Sequence, residues 1–176
     1  MELKKNIKQM GNSMVFLKYT YCLIAIIFLF STIQTASAEN KMTALKELLK
    51  EENLKSEIGK LHYLANFSLR CGSLFEAINE VSPNINILNA AINLQRGASI
   101  TGIMIKKNNP DQIDQEIQNN IIEVTNTYRN LIKINKDTNG EFIEGSNLLV
   151  GDQEICKKFV PRAYRFLGNN GFKLKK

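Results

Sequence analysis

A thiol beside an imidazole makes a nucleophile with its base, and His62 with Cys71 is the pairing of that kind that this sequence offers within one helical stretch. The spacing works against it. From His62 to Cys71 a helix turns roughly 900°, half a turn net, and rises roughly 13 Å, so the two side chains point to opposite faces. His62, beside Tyr63, therefore reads as a surface or helix-interface residue, with a pH-sensing role as the functional alternative. Glu76 and Glu80, one turn apart, are the nearest approach to a paired-carboxylate site, with Arg70 preceding them. The alternative is a solvated helix edge whose ion pairs contribute about 0.2–0.5 kcal/mol each. Arg96 and Arg129 lie in isoleucine-rich helical stretches, from which they could reach such acids or a ligand carboxylate.

Other chemistries lack their residues. With a single histidine, the chain cannot supply the two Glu-x-x-His sets of a di-iron bundle or the Cys₂His₂ and His₃ sets of zinc sites. No Cys-x-x-Cys-His, nucleotide-binding loop, Gly-x-Ser-x-Gly elbow or His-Glu-x-x-His is present. No metal and no cofactor is expected, and the balance leans away from an enzyme.

The first residues carry a different message. Lys18, the apolar run from Tyr19 to Phe30 and the triplet Ala36-Ser37-Ala38 have the charged, apolar and small-residue parts of an export leader. The expected signal peptide is 1–38, cleaved after Ala38, and Met14 would open a more compact version of it. The alternative is an uncleaved anchor, although a spanning helix wants about 20 mostly apolar residues and Ser31, Thr32, Gln34 and Thr35 interrupt this run. Cys22 has no lipobox before it, so lipid attachment is not expected. No transmembrane span is expected once the leader is removed.

Removing 1–38 leaves 39–176, enough for one domain with a real core. It also takes away Lys4, Lys5, Lys8 and Lys18 against Glu2, so the formal +6 falls to about +3. What stays basic is local: Lys157, Lys158, Arg162 and Arg165, followed by Lys173, Lys175 and Lys176, with no acid from Lys157 onward. Such a cluster can hold an anionic surface; the bland reading is a solvated helix face and tail. No aromatic-interleaved groove accompanies it, so nucleic acid is not expected as a partner. Cys71 and Cys156 remain. In an oxidising compartment they read as a candidate disulfide, worth roughly 4 to 5 kcal/mol by loop entropy, and otherwise as two buried thiols.

The elements that position these residues are helical throughout. Apolar residues recur at three- and four-residue spacings and strand-like alternation is nearly absent. The expected fold is all-α: a single bundle of four main helices plus a short N-terminal amphipathic helix, after the signal peptide. The short helix runs from about Asn40 to Glu52, and the first main helix from about Leu54 to Glu80, with the stripe Leu64, Phe67, Cys71, Leu74, Ile78 inward. Ser82 as cap with Pro83 at the first helical position predicts the next helix, to about Lys107. Its low polarity marks it as central. Within it Ala91, Ala98 and Gly102 form a narrow stripe of small residues, which either lets a helix approach closely or leaves a pocket served by Arg96. Asn109 and Pro110 should begin a helix to about Ile134, and Asn135–Gly151 reads as a long connection. Asp152 should cap a last helix to about Leu167, kinked at Pro161 and stopped by Gly168-Asn169-Asn170-Gly171. The abundance of asparagine, lysine and isoleucine reads as AT-rich composition and, with the leader, as bacterial.

Two functions follow as expectations. The preferred one is a non-catalytic, exported helical protein, periplasmic in a Gram-negative cell and otherwise secreted, that binds an envelope protein or an anionic envelope surface. The other is a small-molecule-binding bundle or modest hydrolase with a pocket along Ala91, Ala98 and Gly102.

Overall fold

In the computed structural model residues 42–51, 54–107 and 109–175 are described. They form five helices with no strand among the described residues: α1 (Leu45–Glu51), α2 (Glu57–Val81), α3 (Ile85–Lys106), α4 (Pro110–Asn139) and α5 (Asn147–Asn169). The expected leader 1–38, with Met14 and Cys22, lies outside the described residues, as do Asn40 and Glu52 at the expected ends of the short helix.

Side-chain caps set the helix starts, and they move three expected boundaries. Ser56 accepts the N–H of Gly59 through its hydroxyl at 3.0 Å and opens α2, so Leu54 stands outside the helix. Ser82 closes α2 instead of opening α3, because its N–H donates to the Ile78 carbonyl. The cap of α3 is Asn84, whose Oδ1 accepts the N–H groups of Asn86 and Ile87 at 2.9 and 3.3 Å. Asn109 makes no side-chain cap bond, and Pro110 occupies the first turn of α4 alone.

The expected connection Asn135–Gly151 is largely helical. α4 continues to Asn139 and stops at Gly140, whose φ of 78° is a conformation that glycine adopts without steric cost. Asn135, only 4% exposed, donates through Nδ2 to the carbonyls of Glu141 and Glu144 and accepts from Asn139. One buried amide thus organises the turn into α5. Ser146, not Asp152, caps α5 by accepting the N–H of Leu149 at 3.3 Å. α5 then runs through Pro161 to Asn169.

The bundle core centres on α2, which packs along α3, α4 and α5. Phe67, Cys71 and Leu74 are fully buried there, whereas α3, expected as the central helix, leaves Ile85 65% and Met104 38% exposed. Tyr63, Phe67 and Phe159 form a ring cluster with centroids 4.5 to 5.7 Å apart, joining α2 to α5. α1 packs on α5 through the buried Leu45.

The small-residue stripe of α3 is spent on close packing. Ala91 and Ala98 are each 1% exposed, and a Cβ on Gly102 would stand 2.2 Å from Ile117 Cδ1 of α4. Gly102→Ala gains up to about 1 kcal/mol in helix propensity, and only the rotatable Cδ1 end of Ile117 has to turn aside, the other neighbours standing at 3.5 Å or more. The expected change by urea denaturation is therefore between zero and about 1 kcal/mol on the stabilising side; a clear loss of stability would show that the packing around Ile117 leaves it no room to turn.

Candidate functional site

α5 carries two chemically opposite faces, and the inner one fixes the outer. Leu149, Asp152, Cys156, Phe159, Ala163 and Leu167 recur at three- and four-residue steps and are all 2% exposed or less. Among them Cys156 is disulfide-bonded to Cys71 of α2, with the Cα atoms 5.3 Å apart. One turn before it, Asp152 is 1% exposed, and its carboxylate is fully engaged. Oδ1 accepts the backbone N–H of Leu45 at 2.7 Å, the first residue of α1. Oδ2 accepts from Arg70 Nη2 at 2.8 Å and from the Tyr128 hydroxyl at 2.6 Å. Arg70 also donates through Nε to Tyr128 Oη at 3.0 Å and through Nη2 to the Thr43 carbonyl at 3.0 Å.

This buried hub therefore ties α1, α2, α4 and α5 through one carboxylate. Burial, with Asp152 as an adjacent negative charge, holds the Tyr128 phenol far above its ordinary pKa, so the hydroxyl stays a donor. No pairing between Arg70 and Asp152 was expected from the sequence, which grouped Arg70 with Glu76 and Glu80 instead. Asp152 falls on an otherwise apolar inward stripe, and an acid at such a position needs a cation to meet it; that was the available clue.

On the outer side, Lys157, Lys158, Pro161, Arg162 and Arg165 fall within an arc of about 140° and are exposed. Glu154 shares the arc. Lys157 donates to Gln153 at 3.2 Å, and Arg162 Nη1 lies 3.5 Å from the Tyr63 hydroxyl. Among the described residues none of the four cations forms an ion pair with a carboxylate. The C-terminal segment is pinned back to α3 by Asn93, 1% exposed, which exchanges hydrogen bonds with the backbone of Lys175 at 2.8 and 2.9 Å and donates to Tyr164 Oη. Lys173 and Lys175 thus sit on an anchored segment, not on a frayed tail.

The remaining candidates separate. His62 is exposed, on the α2 surface away from the buried Cys71. Glu76 and Glu80 form an ion-paired edge: Arg129 meets both oxygens of Glu80, Nε to Oε2 at 2.8 Å, and reaches Glu76 at 3.4 Å. The guanidinium holds the Glu80 carboxyl below the usual range. Gln95 of α3 donates to Glu76. Arg96 is exposed beside a crevice of about 10 Å³ lined by Asn93, Ile100 and Leu167, about one water's space. Among the described residues no helix is long and apolar enough to cross a membrane. No protein-family model, curated protein or solved structure matches the chain.

Proposed function

We propose that this chain is a non-catalytic interaction protein of the bacterial envelope, exported behind the leader 1–38 and folded as four main helices, α2 to α5, with the short α1 at the N-terminal side. It docks through the outer face of α5 onto an anionic envelope surface. The observation that carries this reading is the set of four exposed cations, Lys157, Lys158, Arg162 and Arg165, without carboxylate partners among the described residues, on a helix whose opposite face is locked to α2. Charges on a rigid helix lose little freedom when they meet a surface, and each contributes about 1 kcal/mol beside an anionic membrane. Export is supported by the buried disulfide, since such bonds form and persist in oxidising compartments. Periplasmic location in a Gram-negative cell, or secretion otherwise, follows from the leader.

The test is retention on phosphatidylglycerol vesicles, using the chain as its host processes it. Replacing Lys157, Lys158, Arg162 and Arg165 with Gln should weaken retention by about two to three orders of magnitude at low salt, and raising salt should mimic the loss in the parent. Equal retention of parent and variant would discard the surface-binding reading and leave an envelope protein as the partner.

A further inference from the structure

Away from the α5 face, an open groove of about 280 Å³ runs between the C-terminal half of α2 and α4. Its apolar lining comes from Ala77 and Val81 of α2, Ile132 of α4 and Phe142 of the turn that follows. Phe142 is 37% exposed, an aromatic wall left partly in water. Five charged residues line the same groove, and their pairing decides what charge is left over.

Glu80 and Arg129 cancel, because the guanidinium covers both carboxylate oxygens. Lys136 points over the ring of Phe142, its Nζ 4.7 Å from the centroid, while donating to the Gly140 carbonyl, so its charge is fixed beside the aromatic wall. Lys133 and Asp137 complete the lining, and neither forms an ion pair among the described residues. Two lysines against one aspartate leave one positive charge beside Phe142, while the second acid on Arg129, Glu76, lies outside the groove lining. At about 280 Å³ the groove lies near the lower end of ligand sites.

We infer that this groove binds a small anionic amphiphile: a carboxylate or phosphate head held by Lys133 and Lys136, and a short alkyl tail laid on Ala77, Val81, Ile132 and Phe142. Charge selects the head, and removal of apolar area from water supplies the tail's affinity. The site shares no residue with the basic face of α5.

The experiment titrates octanoate, below its micellar concentration, into the isotope-labelled chain as its host processes it, followed by amide NMR shifts. The expected result is saturable binding with the largest shifts at Val81, Ile132, Lys133 and Phe142. Octyl phosphate in place of octanoate distinguishes the head groups, the tighter ligand naming the source. Octanol and octylammonium should bind at least about tenfold more weakly, as should octanoate to the Lys133→Glu/Lys136→Glu variant, whose changes lie on exposed residues and leave the core intact. Phe142→Ala should weaken octanoate severalfold. Shifts scattered over the surface, equal binding of octylammonium, or unchanged affinity in the charge-reversed variant would overturn the site. The variant with Gln at Lys157, Lys158, Arg162 and Arg165 should bind octanoate like the parent, so loss of vesicle docking and loss of groove binding are separable.

Discussion

Asp152→Ala should lower the unfolding free energy by about 3–5 kcal/mol with the disulfide intact, the scale seen when one member of a buried ion pair is removed. Three groups lose their acceptor at once. The Arg70 side chain is only 11% exposed, so its charge stays largely desolvated, while the Tyr128 hydroxyl and the Leu45 N–H are left short of a partner. The pair itself is not the source of net stability, because taking both charges out of water offsets most of their attraction. That distinction gives a second arm: Arg70→Met/Asp152→Leu/Tyr128→Phe should recover most of the loss, since no buried charge remains. α1 should respond differently. Its N-terminal N–H has no replacement acceptor in either variant, so exchange protection at the start of α1 should fall in both, even where global stability returns. Urea denaturation gives the first quantity and amide exchange the second. A single Asp152→Ala change costing under about 1 kcal/mol would remove the hub from any account of this fold.

The helices themselves were legible because their inward stripes are local patterns. Phe67, Cys71, Leu74 and Ile78 follow the 3.6-residue period, and all are buried in the structure. The disulfide was legible by elimination, since two cysteines outside the expected leader leave one pairing, and the structure forms it. The hub was not, because Arg70 and Asp152 lie 82 residues apart and their pairing has no local periodicity. The end of α4 was missed for a related reason. Asn135 continues the inward stripe of Ile121, Tyr128 and Leu131 by one more turn, but treating asparagine as composition alone hides the buried polar positions Asn93 and Asn135. The small-residue stripe was legible as a stripe and ambiguous in meaning, because spacing cannot say whether Gly102 faces a void or Ile117. Arg129 reaching Glu76 and Glu80 was among the options the sequence offered, but the groove could not be foreseen, because the turn that brings Phe142 beside Lys136 is set by helix packing.

Cys71→Ala/Cys156→Ala should cost about 4–5 kcal/mol, the loop-entropy figure for a bond whose ends lie 85 residues apart. Alanine is the appropriate replacement, since both cysteines are fully buried and serine would add an unmatched hydroxyl at about 1–3 kcal/mol more. The bond acts mainly on the unfolded chain, whereas the Asp152 hub acts on the folded one; because Asp152 lies one turn from Cys156 and Arg70 adjoins Cys71, the two losses should couple by about 0.5–3 kcal/mol. Their separate losses sum to roughly 7–10 kcal/mol, against a total stability of about 5–15 kcal/mol for a domain of ordinary kind. The Asp152→Ala chain without its cysteines should therefore sit at the edge of unfolding, with α5 held to α2 by packing such as that of the Tyr63, Phe67 and Phe159 rings. Circular dichroism in urea separates the outcomes: a broad, low midpoint is expected. A sharp transition at the midpoint of the Asp152→Ala chain would mean that the disulfide contributes nothing to this junction, and that the α5 face depends on its non-covalent contacts.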